Sequence, residues 1–469
     1  MFTENPNDQH FAAEKVNGPG IKQGPAKYKS FTRNNFHKIP QLREALTEEQ
    51  IFEIEVVGNV LPFKANNYVV DQLIKWEDPL NDPIFRLTFP QKGMLKEGHF
   101  NKMADAMKKD LTKEQLEQVA LEIRAALNPH PAGQSDVNVP VLGNTKVEGA
   151  QHKYDQTILF FPKQGQTCHA YCTFCFRWPQ FVRTNDHKFV AQDIDIVLEY
   201  ISHHPEITDI LFTGGDPMVM HGKAFEAYID KIIKADIPHL DTIRIGSKSL
   251  AYWPYTYINS KNTSYILRSF RKAVKAGYHV SMMGHFNHNV ELETEAVKKA
   301  TANILEQGVK IRTQSPIFNY INNDPEVWRK MWTEQVELGM VPYYMFVARD
   351  TGAQHYFKVS LEDAQEVFRE AYRNVSGLAR TVRGPSMSCG PGKVQVLGVS
   401  EVNGEKVFVL RFLQGRNPEW VHRPFFAKYD PEAIWIDDLE PAFGEDKFFY
   451  EDELNEIYDN AKNKMQEVV

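Results

Sequence analysis

Cys168, Cys172 and Cys175 fall within eight residues, in the stretch TCHAYCTFCFRW, and their thiols are the groups in this sequence best suited to chemistry. A cubane iron–sulfur cluster has four irons, each of which ordinarily takes one protein ligand. Three thiolates therefore leave one iron open, and an open coordination position is where a metal site reacts, whereas a closed shell is structural. The C-x3-C-x2-C spacing suits a tight loop around one small inorganic body, with Tyr171, Phe174, Phe176 and Trp178 flanking it to keep water away. Structural zinc is the alternative. It calls for a fourth Cys or His at motif spacing, and the candidates are His169 inside the loop and Cys389 far downstream.

Residues at other positions gain meaning from the elements that carry them. Short β-rich runs at Gln156 to Phe161, Asp209 to Gly215, Thr242 to Ser247, His279 to Phe286, Val309 to Ile317 and Val341 to Phe346 alternate with helical periods. The helical periods run from Phe189 to His203, Phe225 to Ala235, Tyr265 to Ala276, Glu295 to Gln307 and Pro325 to Leu338, and a sixth starts near a Ser360 cap. Six strand–helix units imply a parallel sheet with right-handed crossovers. Six is short of an eightfold barrel, so the expected fold is α/β: a partial, open (β/α)6 TIM-like barrel with a helical N-terminal domain and a small C-terminal extension. The expected boundaries are 1–150 for the helical accessory domain, 151–393 for the barrel and 394–469 for the extension. A Pro- and Gly-broken stretch at 128–134 lies near the first boundary, and Asn403-Gly404 between two alternating runs reads as a tight hairpin.

In such folds the site lies at the carboxyl ends of the strands. The cysteine loop follows the first strand, Gly214-Gly215-Asp216-Pro217 the second, Ser247 the third, His285 to His288 the fourth, Gln314-Ser315 the fifth and Arg349 the sixth.

Length and composition set the outer bounds. A chain of 469 residues with 42% hydrophobic and 12% aromatic content exceeds one core and predicts two or three domains. Four cysteines, three of them clustered, read as reduced thiols in a reducing compartment, so the expected location is the cytoplasm. The start MFTENPNDQHF lacks the basic and apolar regions of a signal peptide. No apolar run is long enough to span a bilayer, so no membrane partner is expected. The net charge is −7 with basic residues interspersed among acids, which argues against a nucleic-acid partner.

The cysteine loop and the GGD turn together resemble the radical S-adenosylmethionine superfamily. More narrowly, HKY at 152–154, LFTGGDPM at 211–218, IRIGS at 243–247, HFNH at 285–288, QS at 314–315, NNDPEV at 322–327, PYY at 342–344 and GPGK at 390–393 resemble the lysine 2,3-aminomutase family in order and spacing. The resemblance covers roughly residues 75–395. It implies a [4Fe-4S] cluster on Cys168, Cys172 and Cys175, whose open iron is chelated by S-adenosylmethionine; one-electron reduction then releases a 5'-deoxyadenosyl radical. Gly214 and Gly215 would let backbone approach this cosubstrate, Asp216 would support its ammonium or position neighbouring groups, and Ser247 and His285 would belong to the same pocket.

A second cofactor, pyridoxal 5'-phosphate, is implied on Lys393, which occupies the place of the family's Schiff-base lysine; here Pro391 interrupts a more glycine-rich pattern. Lys153 and Gln314 match positions facing the coenzyme phosphate, and Gln156 falls where the family carries an arginine. A lysine just before a hairpin is otherwise a solvated surface charge. The implied reaction moves the α-amino group of an L-amino acid to C3, with Arg177 matching the arginine that holds the substrate α-carboxylate. The implied partners are that small-molecule amino acid, an electron donor such as flavodoxin or ferredoxin, and further copies of the chain in a homo-oligomer.

Two aspartates bind the distal ammonium in the lysine enzyme. Aligning PYY and GPGK puts Arg349 and Ser386 at those positions, which inverts the charge and favours an acidic or polar, glutamate-like substrate. A one-residue shift puts Asp350 there instead, which keeps lysine open as a substrate. A radical enzyme without pyridoxal phosphate, and a non-catalytic zinc or cluster scaffold, are the other open readings. Cys389 reads as a small buried hydrophobe or as part of the substrate pocket.

Overall fold

The structure is a computed structural model and describes residues 27–109, 111–128, 137–182, 190–191 and 193–466. Its organising element is an eleven-stranded mixed sheet in which each strand lies beside the next in sequence. The strands are β1 (Ala150–Tyr154), β2 (Thr157–Phe160), β3 (Asp209–Phe212), β4 (Thr242–Ser247), β5 (His279–His285), β6 (Lys310–Pro316), β7 (Val341–Phe346), β8 (Arg383–Ser388), β9 (Gly392–Val402), β10 (Glu405–Gly415) and β11 (Pro424–Lys428). β2 through β8 run parallel, while β1 and β9–β11 are antiparallel to their neighbours.

Parallel neighbours need crossovers, and each crossover from β2 to β8 carries a helix: Asp195–Ser202, Gly222–Ala235, Thr263–Lys275, Glu295–Leu305, Pro325–Glu337 and Leu361–Arg373. Side-chain caps fix where four of them start, with His221, Thr294, Asp324 and Ser360 accepting from backbone N–H groups of the first turn. The strands form because branched and aromatic residues alternate or run continuously; in β4, Ile243 and Ile245 are fully buried.

All six predicted strands are present, Thr242–Ser247 and Val341–Phe346 to the residue. The second ends at Phe212 because Gly214-Gly215 turn away from the ladder. β8 is a seventh parallel strand that periodicity does not reveal: RGPSMS is short and holds a Gly and a Pro. The predicted helix at 189–203 begins at Asp195; Phe189 and Gln192 lie outside the described residues, as do residues 1–26 and all of the 128–134 break except Asn128. The hairpin turns at Asn403-Gly404, whose φ values of 52° and 79° fit a two-residue turn of the primed type.

Residues 27–128 form mainly helices and a short antiparallel ribbon, Ser30–Thr32 with Lys64–Asn66. Their apolar side chains, among them Ile54, Val57, Phe85 and Phe89, belong to one hydrophobic cluster with Ile158, Phe160, Phe212, Ile243 and Ile311 of the parallel strands. A second cluster joins Met387, Cys389, Val394, Phe412, Trp420 and Tyr450 beneath β9–β11. Among the described residues no helix is long and apolar enough to cross a membrane.

Candidate active site

The carboxyl ends of the parallel strands open into one cavity of about 1130 Å3. Its wall holds Cys168, Cys172, Cys175 and Arg177 from the segment after β2, Gly214, Gly215 and Asp216 after β3, Ser247 at the end of β4, and His285 at the end of β5. Gln314 of β6, Arg349 after β7, Lys153 of β1 and Lys393 of β9 complete it. Lys153 and Lys393 thus meet across the sequence because β2–β8 point their carboxyl ends the same way and the antiparallel β1 and β9 bring their own side chains to the same cavity. Ser386 is not on this wall. It is fully buried, and its hydroxyl donates to the Met345 carbonyl at 3.3 Å. Strand alternation puts Ser388 on the same face one step nearer the mouth, paired with Lys393, and Ser388 lines the cavity.

The cysteine loop closes a turn in which the Cys175 N–H donates to the Cys172 carbonyl at 3.1 Å. Burial pushes all three thiols up, to about 12 for Cys172 and about 11 for Cys175. Binding a cation there would therefore displace protons. Among the described residues no group of three or more His, Cys, Asp and Glu side chains is drawn together as ligands of one metal ion. His169 packs against Tyr28 and Trp253, burial holds it neutral, at about 3, and its Nδ1 is buried on the cavity wall without a hydrogen-bond partner among the described residues.

Gly214 and Gly215 serve the loop as much as the cavity. A Cβ on Gly215 would meet the Thr167 carbonyl oxygen at 2.6 Å and the Thr167 nitrogen at 2.7 Å, so the turn after β3 fits only as glycine against the residues leading into Cys168. The Asp216 N–H also donates to the Thr167 carbonyl, at 2.8 Å. The Asp216 carboxylate accepts from Ser247 Oγ at 2.7 Å, Met218 N at 2.9 Å and Lys248 N at 2.9 Å. It is thereby committed to joining the strand-end loops of β3 and β4.

Lys393 is no surface charge. Its Nζ donates to Gln414 Oε1 at 2.6 Å and lies 4.8 Å from the Tyr344 ring and 5.5 Å from the Tyr154 ring. Burial, reinforced by the Arg244 and Arg383 charges, lowers it to about 7. Lys153 donates to the Cys389 carbonyl at 2.5 Å, and burial with the Arg416 charge lowers it to about 7 as well. Cys389 is buried and lines the same cavity, its thiol directed at the Gly392 carbonyl at 3.4 Å.

Arg177 and Arg349 flank one ring, at 5.3 and 4.8 Å from the centre of Phe176. Burial lowers Arg177 to about 10, with Arg349 adding repulsion. Arg349 Nε, His285 Nε2 and Tyr154 OH are buried without a hydrogen-bond partner among the described residues, and all three residues line the cavity. Buried polar atoms without partners are rare in finished interiors, and in a cavity wall they point to a ligand.

Two groups of site residues escape sequence reasoning. Tyr28, Lys64, Asn66 and Arg86, from the N-terminal region, hold the cysteine loop from behind. Gln414, Arg416, Trp435, Asp437 and Tyr458 close the cavity from the C-terminal region. Only Gln414 had a signal: counting outward in equal steps from Asn403-Gly404 reaches Lys393 on one arm and Gln414 on the other, and two compensating bulges keep that pairing.

No protein-family model matches the chain. It is 32% identical over 406 residues to a putative L-lysine 2,3-aminomutase of Aquifex aeolicus, covering 86% of this chain and 94% of that one. It is 28% identical over 250 residues to the glutamate 2,3-aminomutase of Clostridioides difficile, covering 53% and 56% of the two chains. To the L-lysine 2,3-aminomutase of Acetoanaerobium sticklandii it is 27% identical over 274 residues, 58% and 62% of the two. It thus spans less than two thirds of the last two enzymes. A solved structure described as native anSMEcpe with bound AdoMet and Kp18Cys peptide superposes with a TM-score of 0.35 at 10% identity, over 49% of this chain and 63% of that one.

Proposed function

The chain belongs to the lysine 2,3-aminomutase family of radical S-adenosylmethionine isomerases, which use a [4Fe-4S] cluster, S-adenosylmethionine and pyridoxal phosphate, and we propose that it moves the α-amino group of a small acidic L-amino acid, glutamate in the simplest case, to C3. The observation that carries this reading is the shared cavity: three thiols, a buried amine and two guanidiniums, with no carboxylate in ion-pair contact among the described residues, open onto one space.

The residues present fit the cofactors. Cys168, Cys172 and Cys175 would hold the cluster, with Gly215 allowing the close approach that keeps their loop in place. His285 Nε2, buried and unpartnered on the wall, is available to the cosubstrate. Lys393 would hold pyridoxal phosphate, since an amine lowered to about 7 is about half neutral, and so nucleophilic, near neutral pH. Lys153 and Gln314 remain the residues for its phosphate. When bound, these groups supply a carbon radical and a ring that spreads an unpaired electron.

The protein's own side chains bind and orient. Arg177 offers its fork to the α-carboxylate and Arg349 to a second, distal carboxylate. An ammonium-ended substrate would face two like charges at short range in a poorly screened cavity. Asp350, on the wall beside Arg349, is what favours lysine as the second reading. The sheet belongs to this proposal as a partial barrel: seven parallel strands in chain order, with loops from successive strand ends lining one cavity. The segment before β1 acts as its accessory cover and the segment after Lys393 as its closing extension. The test is S-adenosylmethionine cleavage by anaerobic, iron-loaded protein under dithionite. Formation of 5'-deoxyadenosine is expected to rise with glutamate and not with lysine; no cleavage with any amino acid would overturn the reading.

A further inference from the structure

The cysteine loop is held on its side away from the cavity by a residue outside the wall. Lys64, in the ribbon Lys64–Asn66, donates from Nζ to the Cys168 carbonyl at 2.7 Å, while its own carbonyl accepts from Tyr171 N at 2.7 Å. Asn66 Nδ2 donates to the His169 carbonyl at 3.2 Å and to the Tyr252 carbonyl at 2.9 Å, tying the same loop to the segment after β4. The Lys64 ammonium lies between the rings of Tyr28 and Tyr171, 5.8 and 5.6 Å from their centres. Among the described residues no carboxylate pairs with it, and its Nζ contacts are the Cys168 carbonyl and, at 3.5 Å, the Thr167 hydroxyl.

We propose that Lys64 is a positioning residue that also tunes the cluster electrostatically, raising its reduction potential. Reduction transfers one electron from an external one-electron donor to the cluster, whose charge becomes more negative by one. A fixed cation beside a ligand cysteine stabilises the reduced state more than the oxidised one, and local charge is one of the levers that set such potentials. The hydrogen bond to the Cys168 carbonyl and the charge are separable. Glutamine at position 64 keeps a donor and drops the charge; arginine keeps both.

The test uses the full chain, reconstituted anaerobically with iron and sulfide and titrated with dithionite while the reduced cluster is followed by electron paramagnetic resonance. Lys64→Gln is expected to bind the native amount of iron with a midpoint shifted to more negative potential, and Lys64→Arg to keep the native midpoint. If Lys64→Gln loses iron, so that no midpoint can be read, the electrostatic claim falls and Lys64 is left as a positioning residue only. A native midpoint in Lys64→Gln, equal shifts in both variants, or loss of iron from both would overturn it.

Discussion

The guanidiniums of Arg177 and Arg349 sit on one aromatic ring, 5.3 and 4.8 Å from the centre of Phe176. The ring's negative faces offset part of the repulsion between two cations that lack carboxylate partners among the described residues. A ligand with carboxylates at both ends would remove the rest. Arg349→Ala is therefore expected to lower kcat/KM for glutamate by ~30-fold, about one charge-assisted hydrogen bond, mainly through KM. Arg349→Asp is expected to admit lysine. Steady-state kinetics on both amino acids checks this; an unchanged preference in Arg349→Asp contradicts it.

Lys393 sets a pH window. Its value lies at about 7 in place of 10.5, so the free amine predominates above about 7 rather than only in strong base. Capture of pyridoxal phosphate, trapped by borohydride and read as a mass increase on the Lys393 peptide, is expected to be low in acid, half-complete near pH 7 and sustained above it. Lys393→Ala is expected to lose that adduct. A half-point in the ordinary lysine range contradicts the burial argument.

Gln414 acts on that same amine. Because its carbonyl oxygen accepts from Lys393 at 2.6 Å, it stabilises the ammonium. Gln414→Leu removes the acceptor and is expected to move the capture profile to lower pH. Gln414→Glu adds a counter-charge and is expected to move it higher. Coincident profiles for all three proteins would remove Gln414 from the site.

Gly215 should be intolerant of the smallest side chain. A Cβ there would strike the Thr167 backbone at 2.6–2.7 Å, a clash worth about 1–3 kcal/mol if the loop yields. The expected outcome in Gly215→Ala is iron content well below native with a far smaller drop in melting temperature, since Thr167 leads directly into the cysteine loop. Native iron content contradicts the cradle.

Much of the site was legible because strand ends are marked by residue types that strands avoid. Gly214, Gly215, His285 and Arg349 all interrupt or follow apolar runs, and one fold rule gathers them. Ser386 misled because alignment gives a strand position but not its depth, and Ser388, one step outward, holds the wall. Lys64 and Asn66 were invisible for a different reason. They act through loop carbonyls more than a hundred residues away, and a carbonyl partner leaves no mark in sequence. β8 lacked periodicity because both its faces are covered.

The most direct measurement follows nitrogen itself. Anaerobic protein supplied with iron, S-adenosylmethionine, pyridoxal phosphate and dithionite is incubated with 15N-labelled glutamate and, separately, with 15N-labelled lysine, and the products are resolved by mass spectrometry. The account predicts 3-aminopentanedioate carrying the label, with lysine left unchanged. A labelled 3-amino product from lysine alone, or no migration from either substrate in protein with its full complement of iron, would contradict it.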